Sequence, residues 1–318
     1  MPVITSSYQA PRFLRNGHVQ TVLPTFLPRA RPPQPKHQRL ELDDGDFLDL
    51  RWYHAGNKRL AILSHGLEGS AEAIYIRSMS AALLHAGWNV LAWNFRGCGG
   101  VANRLPRSYH SGESNDLRSV IDHASDAYPQ IALVGFSLGG NITLKCIGEA
   151  PPHPHIVAAV AVSAPVDLAS SARVLDERTD NRIYLKRFLN TLVLKIEAKA
   201  RLFPKNFDIK GIRAIRTIKE FDDRFTAPMH GFLDADDYWE RASSLPHLAK
   251  IKVPSLLLNA LNDPLLTTPS FPQELAFHSA SLHLETPSYG GHVGFLDYRL
   301  RGWHERRVVD FINAASAA

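Results

Sequence analysis

The chain has 318 residues, 45% of them hydrophobic, and a net charge of +5 at neutral pH, so it can bury a large core. It contains no run of 18 apolar residues, which argues against a membrane-spanning helix, and we expect no secretory signal. The two cysteines, Cys98 and Cys146, match neither a disulfide framework nor a metal motif, and no phosphate loop or dinucleotide fingerprint is present. These features predict a cytoplasmic protein that uses no metal and no cofactor.

The apolar pattern predicts a mostly parallel β-sheet with helices on both faces. Residues 1–35 are rich in proline and arginine, and we expect them to wrap the outside of the protein as an extended arm. Alternation over residues 40–50 around Asp43-Asp44-Gly45-Asp46 predicts a hairpin and therefore an antiparallel start to the sheet. Strand-like and helical stretches then alternate from about residue 60 to 165, which is typical of parallel strands joined by crossover helices. We predict about eight strands in a single domain over residues 1–318.

A sharp strand-to-helix turn is predicted at Gly135-Phe136-Ser137-Leu138-Gly139. An apolar run at residues 131–134 precedes it, and a helical stretch at residues 141–149 follows it. Glycines two positions before and after a serine permit the strained turn of a nucleophile elbow, because side chains there would collide with neighbouring elements. In this context Ser137 is the candidate nucleophile.

A serine hydroxyl is a weak nucleophile at neutral pH, so Ser137 needs a base and an orienting acid. Asp263 follows the penultimate predicted strand, which places it at the edge of the sheet where the elbow lies. Taken alone, Asp263 could merely cap a turn, since Asp-Pro is common in turns. His292 follows the predicted last strand, residues 282–285, on a glycine-rich loop that can approach the acid closely. The pair predicts His292 as the base and Asp263 as the group that fixes its tautomer.

Two backbone amides are predicted to hold the oxyanion of the reaction. Strand-like residues 60–64 lead into His65-Gly66-Leu67, a turn that can supply one N–H donor from Leu67. The second donor is the amide of Leu138, directly after the candidate nucleophile. We expect His65 to be a structural residue under this loop and not a second base.

Residues 166–246 interrupt the alternation, and their length predicts a helical lid insert. Five apolar residues recur there at helical spacing: Leu185, Phe188, Leu189, Leu192 and Ile196. Residues 168–232 carry 14 Lys and Arg against 8 Asp and Glu, so the insert is basic. This charge either keeps a solvated helix surface soluble or draws the protein to anionic lipid and acidic substrates. Nucleic acid is not a predicted partner, because no binding motif accompanies the basic residues.

Several blocks spread along the chain carry a family resemblance. They are His65-Gly-Leu-Glu-Gly-Ser70, Asn94-Phe-Arg-Gly-Cys-Gly-Gly100, Tyr109-His-Ser-Gly-Glu-Ser114, Gly135-Phe-Ser-Leu-Gly-Gly-Asn141 and Gly290-Gly-His-Val-Gly-Phe295, with Leu14-Arg-Asn-Gly-His-Val-Gln-Thr21 near the start. Together they resemble the YheT-like branch of the α/β-hydrolases, whose triad positions match Ser137, Asp263 and His292. The resemblance implies the α/β-hydrolase fold and hydrolysis of short-chain or lipid-like carboxylic esters.

The sequence thus predicts a serine carboxylesterase that acts on a small-molecule or lipid ester through an acyl-enzyme. An acyltransferase or thioesterase with the same triad is the nearer alternative, because the residues do not show which molecule reaches the acyl-enzyme. A non-catalytic binding protein with this fold is the more distant one. The oligomeric state is not predicted.

Overall fold

The structure is a computed structural model that describes residues 3–317. Within that range nine strands form one sheet. The strands are β1 (Val3–Ile4), β2 (Lys36–Glu41), β3 (Phe47–Tyr53), β4 (Arg59–Ser64), β5 (Asn89–Trp93), β6 (Gln130–Phe136), β7 (Ile156–Val162), β8 (Ser255–Leu258) and β9 (Leu282–Glu285). Their order across the sheet is β1-β9-β8-β7-β6-β4-β5-β3-β2.

The helices alternate with these strands and also fill the stretch between β7 and β8. They are α1 (Gly17–Val22), α2 (Ile74–His85), α3 (Ser114–Ser125), α4 (Leu138–Glu149), α5 (Leu168–Glu177), α6 (Arg182–Leu202), α7 (Ile218–Phe221), α8 (Ala227–His230), α9 (Ala235–Ala242), α10 (Gln273–His278) and α11 (Trp303–Ala317). A π-helical turn, Asp222–Thr226, joins α7 to α8. In the part of the chain described, no helix is both long and apolar enough to cross a membrane.

The predicted fold class is confirmed, with one more strand than the eight expected. Strands β2 and β3 pair antiparallel across the predicted hairpin, β3 also pairs antiparallel with β5, and the remaining pairs are parallel. The additional strand is β1, which pairs with β9 and lies within residues 1–35. That segment, for which the sequence predicts an extended arm, also contains the short helix α1.

Both faces of the sheet are covered, as the alternation of buried residues along β6 shows. Ile131 and Leu133 belong to one apolar cluster, which includes residues of α3 and α4. Ala132 and Val134 belong to a second cluster, which includes residues of α2 and α11. A central strand buried on both sides is expected of a parallel sheet with crossover helices. The carboxyl ends of the strands therefore form the edge where loops can build a site.

The insert between β7 and β8 carries helices α5 to α9 and its own apolar cluster. The helical spacing noted in the sequence falls on α6, where Leu185, Leu189 and Ile196 are buried in that cluster. The boundaries of the insert at residues 166 and 246, and the assignment of the chain to a single domain, stay predictions.

Candidate active site

Ser137 occupies a tight turn between β6 and α4. Its φ of 52° and ψ of −121° are strained for a residue with a side chain, and surrounding structure must enforce them. The two flanking glycines permit the turn: a Cβ on Gly135 would collide with the carbonyl oxygen of Gly139, and a Cβ on Gly139 would collide with those of Ser64 and His65. The turn thus presents the Ser137 hydroxyl at the carboxyl edge of the sheet.

The structure brings Ser137, His292 and Asp263 together in a chain of hydrogen bonds. His292 Nε2 lies 2.9 Å from Ser137 Oγ, and His292 Nδ1 lies 2.8 Å from Asp263 Oδ2. The Asp263 side chain is fully buried, whereas 12% of the His292 side chain is exposed. The backbone amide of Leu265 donates to the other carboxylate oxygen of Asp263 at 2.9 Å, which fixes the carboxylate plane.

The loop after β4 lies against Ser137, since a Cβ on Gly66 would come within 3.2 Å of the Ser137 Cβ. The amides of Gly66 and Glu68 donate to the hydroxyls of Tyr75 and Tyr109 at 2.8 and 2.9 Å. The Leu67 amide between them makes no hydrogen bond to any part of residues 3–317. Within the same range the Leu138 amide, at the first turn of α4, also makes no hydrogen bond. Both leucines line the cavity that contains Ser137.

His65 lies buried under this loop and contacts no residue of the hydrogen-bond chain through its ring nitrogens. The Phe95 amide donates to its Nε2 at 3.2 Å, so Nδ1 carries the proton and donates to the Gly66 carbonyl at 2.8 Å. Burial lowers the pKa of His65 to about 3, which keeps the imidazole neutral. These contacts agree with the structural role expected of His65.

A cavity extends from Ser137 and His292 into the helices of the insert. It encloses about 1110 Å³, counting the part open to solvent. Much of its wall is apolar and comes from the insert, including Leu175, Phe188, Leu192, Phe221, Phe225 and Met229. A wall of this polarity suits an apolar ligand group better than a charged one.

Sequence reasoning missed two polar features of this cavity. Asp222, on the π-helical turn, accepts hydrogen bonds from Thr226 Oγ1 at 2.6 Å and from Trp239 Nε1 at 2.8 Å. Its burial raises the pKa of the carboxyl to about 7. Lys195 of α6 pairs with Glu68 at 2.6 Å and so joins the insert to the loop after β4. No local sequence pattern signals either feature, because each depends on packing between distant segments.

Potential metal ligands occur together once in the described residues, at His110, Glu113 and His230. Their ligand atoms lie within 4.8 Å of one another. The Glu113 carboxylate is already paired with Arg107 at 3.2 Å and lies 3.4 Å from His110 Nε2. Burial lowers the pKa of both histidines to about 3. We assign this group no part in the reaction.

Comparison with known proteins finds relatives that match over most of this chain. The YheT protein of Escherichia coli (strain K12) is 35% identical over 317 residues, which cover 95% of this chain and 91% of that protein. The phospholipase ABHD3 of Homo sapiens is 29% identical over 308 residues, which cover 93% of this chain and 75% of that protein. Among solved structures, the esterase Pf2001 of Pyrococcus furiosus has a TM-score of 0.59 at 19% identity, over 90% of this chain and 98% of its own, a likeness of fold alone.

The sequence profile of the alpha/beta hydrolase family matches residues 61–303. This match covers most of the chain, and the similarity to YheT extends over nearly its whole length. The chain therefore belongs to the α/β-hydrolase family and is a YheT-like member of it.

Proposed function

We propose that the protein is a serine carboxylesterase that hydrolyses short-chain or lipid-like esters through an acyl-enzyme. The observation that carries the proposal is the hydrogen-bond chain from Ser137 through His292 to the buried Asp263, beside a largely apolar cavity. A hydroxyl, an imidazole and a carboxylate in this order are the groups that acyl transfer to serine requires. Membership of the α/β-hydrolase family and the human phospholipase among the relatives support ester hydrolysis in general.

In the proposed reaction, Ser137 Oγ attacks the ester carbonyl carbon while His292 Nε2 accepts its proton. The amides of Leu67 and Leu138 stabilise the charge on the carbonyl oxygen. His292 then protonates the leaving alcohol, and the acyl group stays on Ser137. Water attacks this acyl-enzyme while His292 accepts its proton, and His292 returns that proton to Ser137 Oγ as the carboxylic acid leaves. Asp263 keeps Nδ1 of His292 protonated and stabilises the imidazolium.

The cavity favours esters with an apolar acyl chain. Each buried methylene contributes about 0.8 kcal/mol to binding, so several of them can select a substrate class. The name of the human relative, a phospholipase, supports a lipid-like ester. Esters with a charged acyl group would have to desolvate that charge among the apolar side chains of the insert.

Hydrolysis of p-nitrophenyl esters from acetate to palmitate tests the proposal. We expect kcat/KM to rise with chain length until the cavity is filled and then to fall. Leu192→Trp, which narrows the cavity, should lower kcat/KM for the best long ester about tenfold and leave acetate within about twofold, because one large ring displaces several methylenes. Leu194→Trp, on the exposed side of α6, is the matched control.

Equal losses on acetate and on the long ester would show that the cavity does not bind the acyl chain. Failure to hydrolyse any ester of the series would contradict the proposed carboxylesterase activity. Product analysis with added alcohols separates hydrolysis from acyl transfer: a new ester as the main product would favour the acyltransferase.

Contact of the basic insert with anionic lipid and a cytoplasmic location stay predictions. Part of the positive charge is paired with carboxylates of this chain: Lys195 contacts Glu68, Arg213 contacts Glu197 and Lys219 contacts Asp236. These pairs lower the charge that the insert presents to a lipid surface.

A further inference from the structure

The conspicuous motif at residues 14–21 has no role in the reaction derived above. We call this segment, residues 14–21, the N-terminal clasp. It lies against residues 290–296, the histidine loop, which carries His292. The backbone amide of His292 donates a hydrogen bond to Thr21 Oγ1 at 2.9 Å. The same hydroxyl donates to the Gly17 carbonyl at 2.7 Å, so its orientation is fixed. Thr21, 271 positions away in sequence, thus bonds directly to the backbone of the candidate base His292.

Glycines bring the two segments into close backbone contact. A Cβ on Gly291 would collide with the Gly17 carbonyl oxygen, and a Cβ on Gly294 would collide with that of Gln20. A Cβ on Gly17 would collide with the carbonyl oxygen of Asn262, the neighbour of Asp263. Gly17, Gly291 and Gly294 are therefore explained by one interface between the clasp, the histidine loop and the loop of the acid.

Polar side chains join the two segments on either side of His292. Asn262 accepts from the Gly291 amide at 3.0 Å and donates to the Arg15 carbonyl at 2.9 Å. Gln20 is fully buried, and its Oε1 accepts from the Leu296 amide at 2.9 Å. The clasp therefore holds the histidine loop before, at and after His292.

The histidine loop needs such support, because its backbone is strained. Val293 and Phe295 have φ values of 61° and 44°, in the left-handed region that residues with side chains rarely adopt. Strained residues persist only where surrounding contacts over-determine their conformation. Without the clasp, the loop would relax and displace the imidazole of His292, which must remain within hydrogen-bond reach of Ser137.

We propose that the N-terminal clasp positions the base, with Thr21 as the positioning residue for His292. The inference rests on the proposed ester hydrolysis for its kinetic effect, but the hydrogen bonds themselves do not depend on the substrate. Thr21 does not line the cavity, so it should affect the chemical step and not substrate binding. Catalytic groups displaced by about 1 Å lose about a hundredfold in rate, which sets the scale of the effect.

Thr21→Val removes the hydroxyl with little change in volume, and Thr21→Ser keeps it. The matched control is Thr25→Val, because Thr25 is exposed just beyond the clasp and its hydroxyl donates to the Val22 carbonyl. We expect Thr21→Val to lower kcat by about tenfold to a hundredfold with KM within about twofold. Thr21→Ser and Thr25→Val should stay within about threefold of wild type.

A second readout needs no substrate: the low-field proton resonance of the hydrogen bond between His292 and Asp263. It should broaden or vanish in Thr21→Val and persist in Thr21→Ser and Thr25→Val. If Thr21→Val fails to fold, Thr21→Ala takes its place with the same expectation. If wild type hydrolyses no ester, the proposed function fails, and the resonance alone decides the role of the clasp.

Two results would overturn the inference. One is an unchanged resonance together with a kcat within twofold of wild type in Thr21→Val. The other is an equal loss in Thr21→Ser and Thr21→Val, which would show that the hydroxyl is not what positions His292.

Discussion

Ser137→Ala should lower kcat/KM for p-nitrophenyl esters by about six orders of magnitude, the loss known for removal of a triad serine. The alanine keeps the elbow backbone but removes the oxygen to which the acyl group would be attached. Because the hydroxyl bonds only to His292 Nε2 in this site, we expect the thermal midpoint to change little. Initial rates on the best ester of the series, with the thermal midpoint alongside, measure both effects.

Ser171→Ala is the matched control for this variant. Ser171 lines the same cavity, and its buried hydroxyl has no hydrogen-bond partner within the part of the chain that the structure describes. Its rates should stay within about twofold of wild type. Ser137→Ala activity above about one per cent of wild type would contradict an acyl-enzyme on Ser137.

Asp263→Asn should lower kcat by about four orders of magnitude without unfolding the protein. The buried carboxylate accepts a hydrogen bond from the protonated Nδ1 of His292. The amide of an asparagine at this position can instead point its NH₂ group at Nδ1. His292 would then carry its proton on Nε2, facing Ser137, and could not act as a base. Steady-state kinetics on the same ester, over a range of pH, measure the loss.

Asp297→Asn is the control for Asp263→Asn, since Asp297 is a carboxylate near His292 in sequence. The Asp297 carboxylate accepts hydrogen bonds from the backbone amides of Arg299 and Arg301 and makes none with His292. Asp236, another acid of the chain, pairs with Lys219 on the insert. Full activity in Asp263→Asn together with loss in Asp297→Asn would transfer the orienting role to Asp297.

The parts of the fold that the sequence predicts well are those encoded locally. Strand β9 has the bounds expected from its apolar run, and the hairpin between β2 and β3 follows from the turn at Asp43-Asp44-Gly45-Asp46. Ser137, Asp263 and His292 each follow a core strand, so the order of strands in the sheet is enough to bring them to one edge.

The parts that the sequence does not predict depend on contacts between distant segments. Nothing near Val3 signals that it pairs with β9, and nothing near Asp222 signals that this residue lines a cavity and accepts a hydrogen bond from Trp239. The motif at residues 14–21 is visible in the sequence, but its contact with His292 becomes apparent only when the loops are folded together. Side-chain packing in the insert likewise decides the shape of the cavity beside Ser137.

Labelling by a fluorophosphonate, followed by mass analysis of the modified peptide, tests the central proposal most directly because it needs no knowledge of the substrate. We predict one adduct per chain, on Ser137, formed rapidly by wild type and by Ser171→Ala. Asp263→Asn should react far more slowly, because its imidazole cannot accept the serine proton. An adduct elsewhere, no adduct at all, or an equal rate in Asp263→Asn would contradict a serine nucleophile activated by His292 and Asp263.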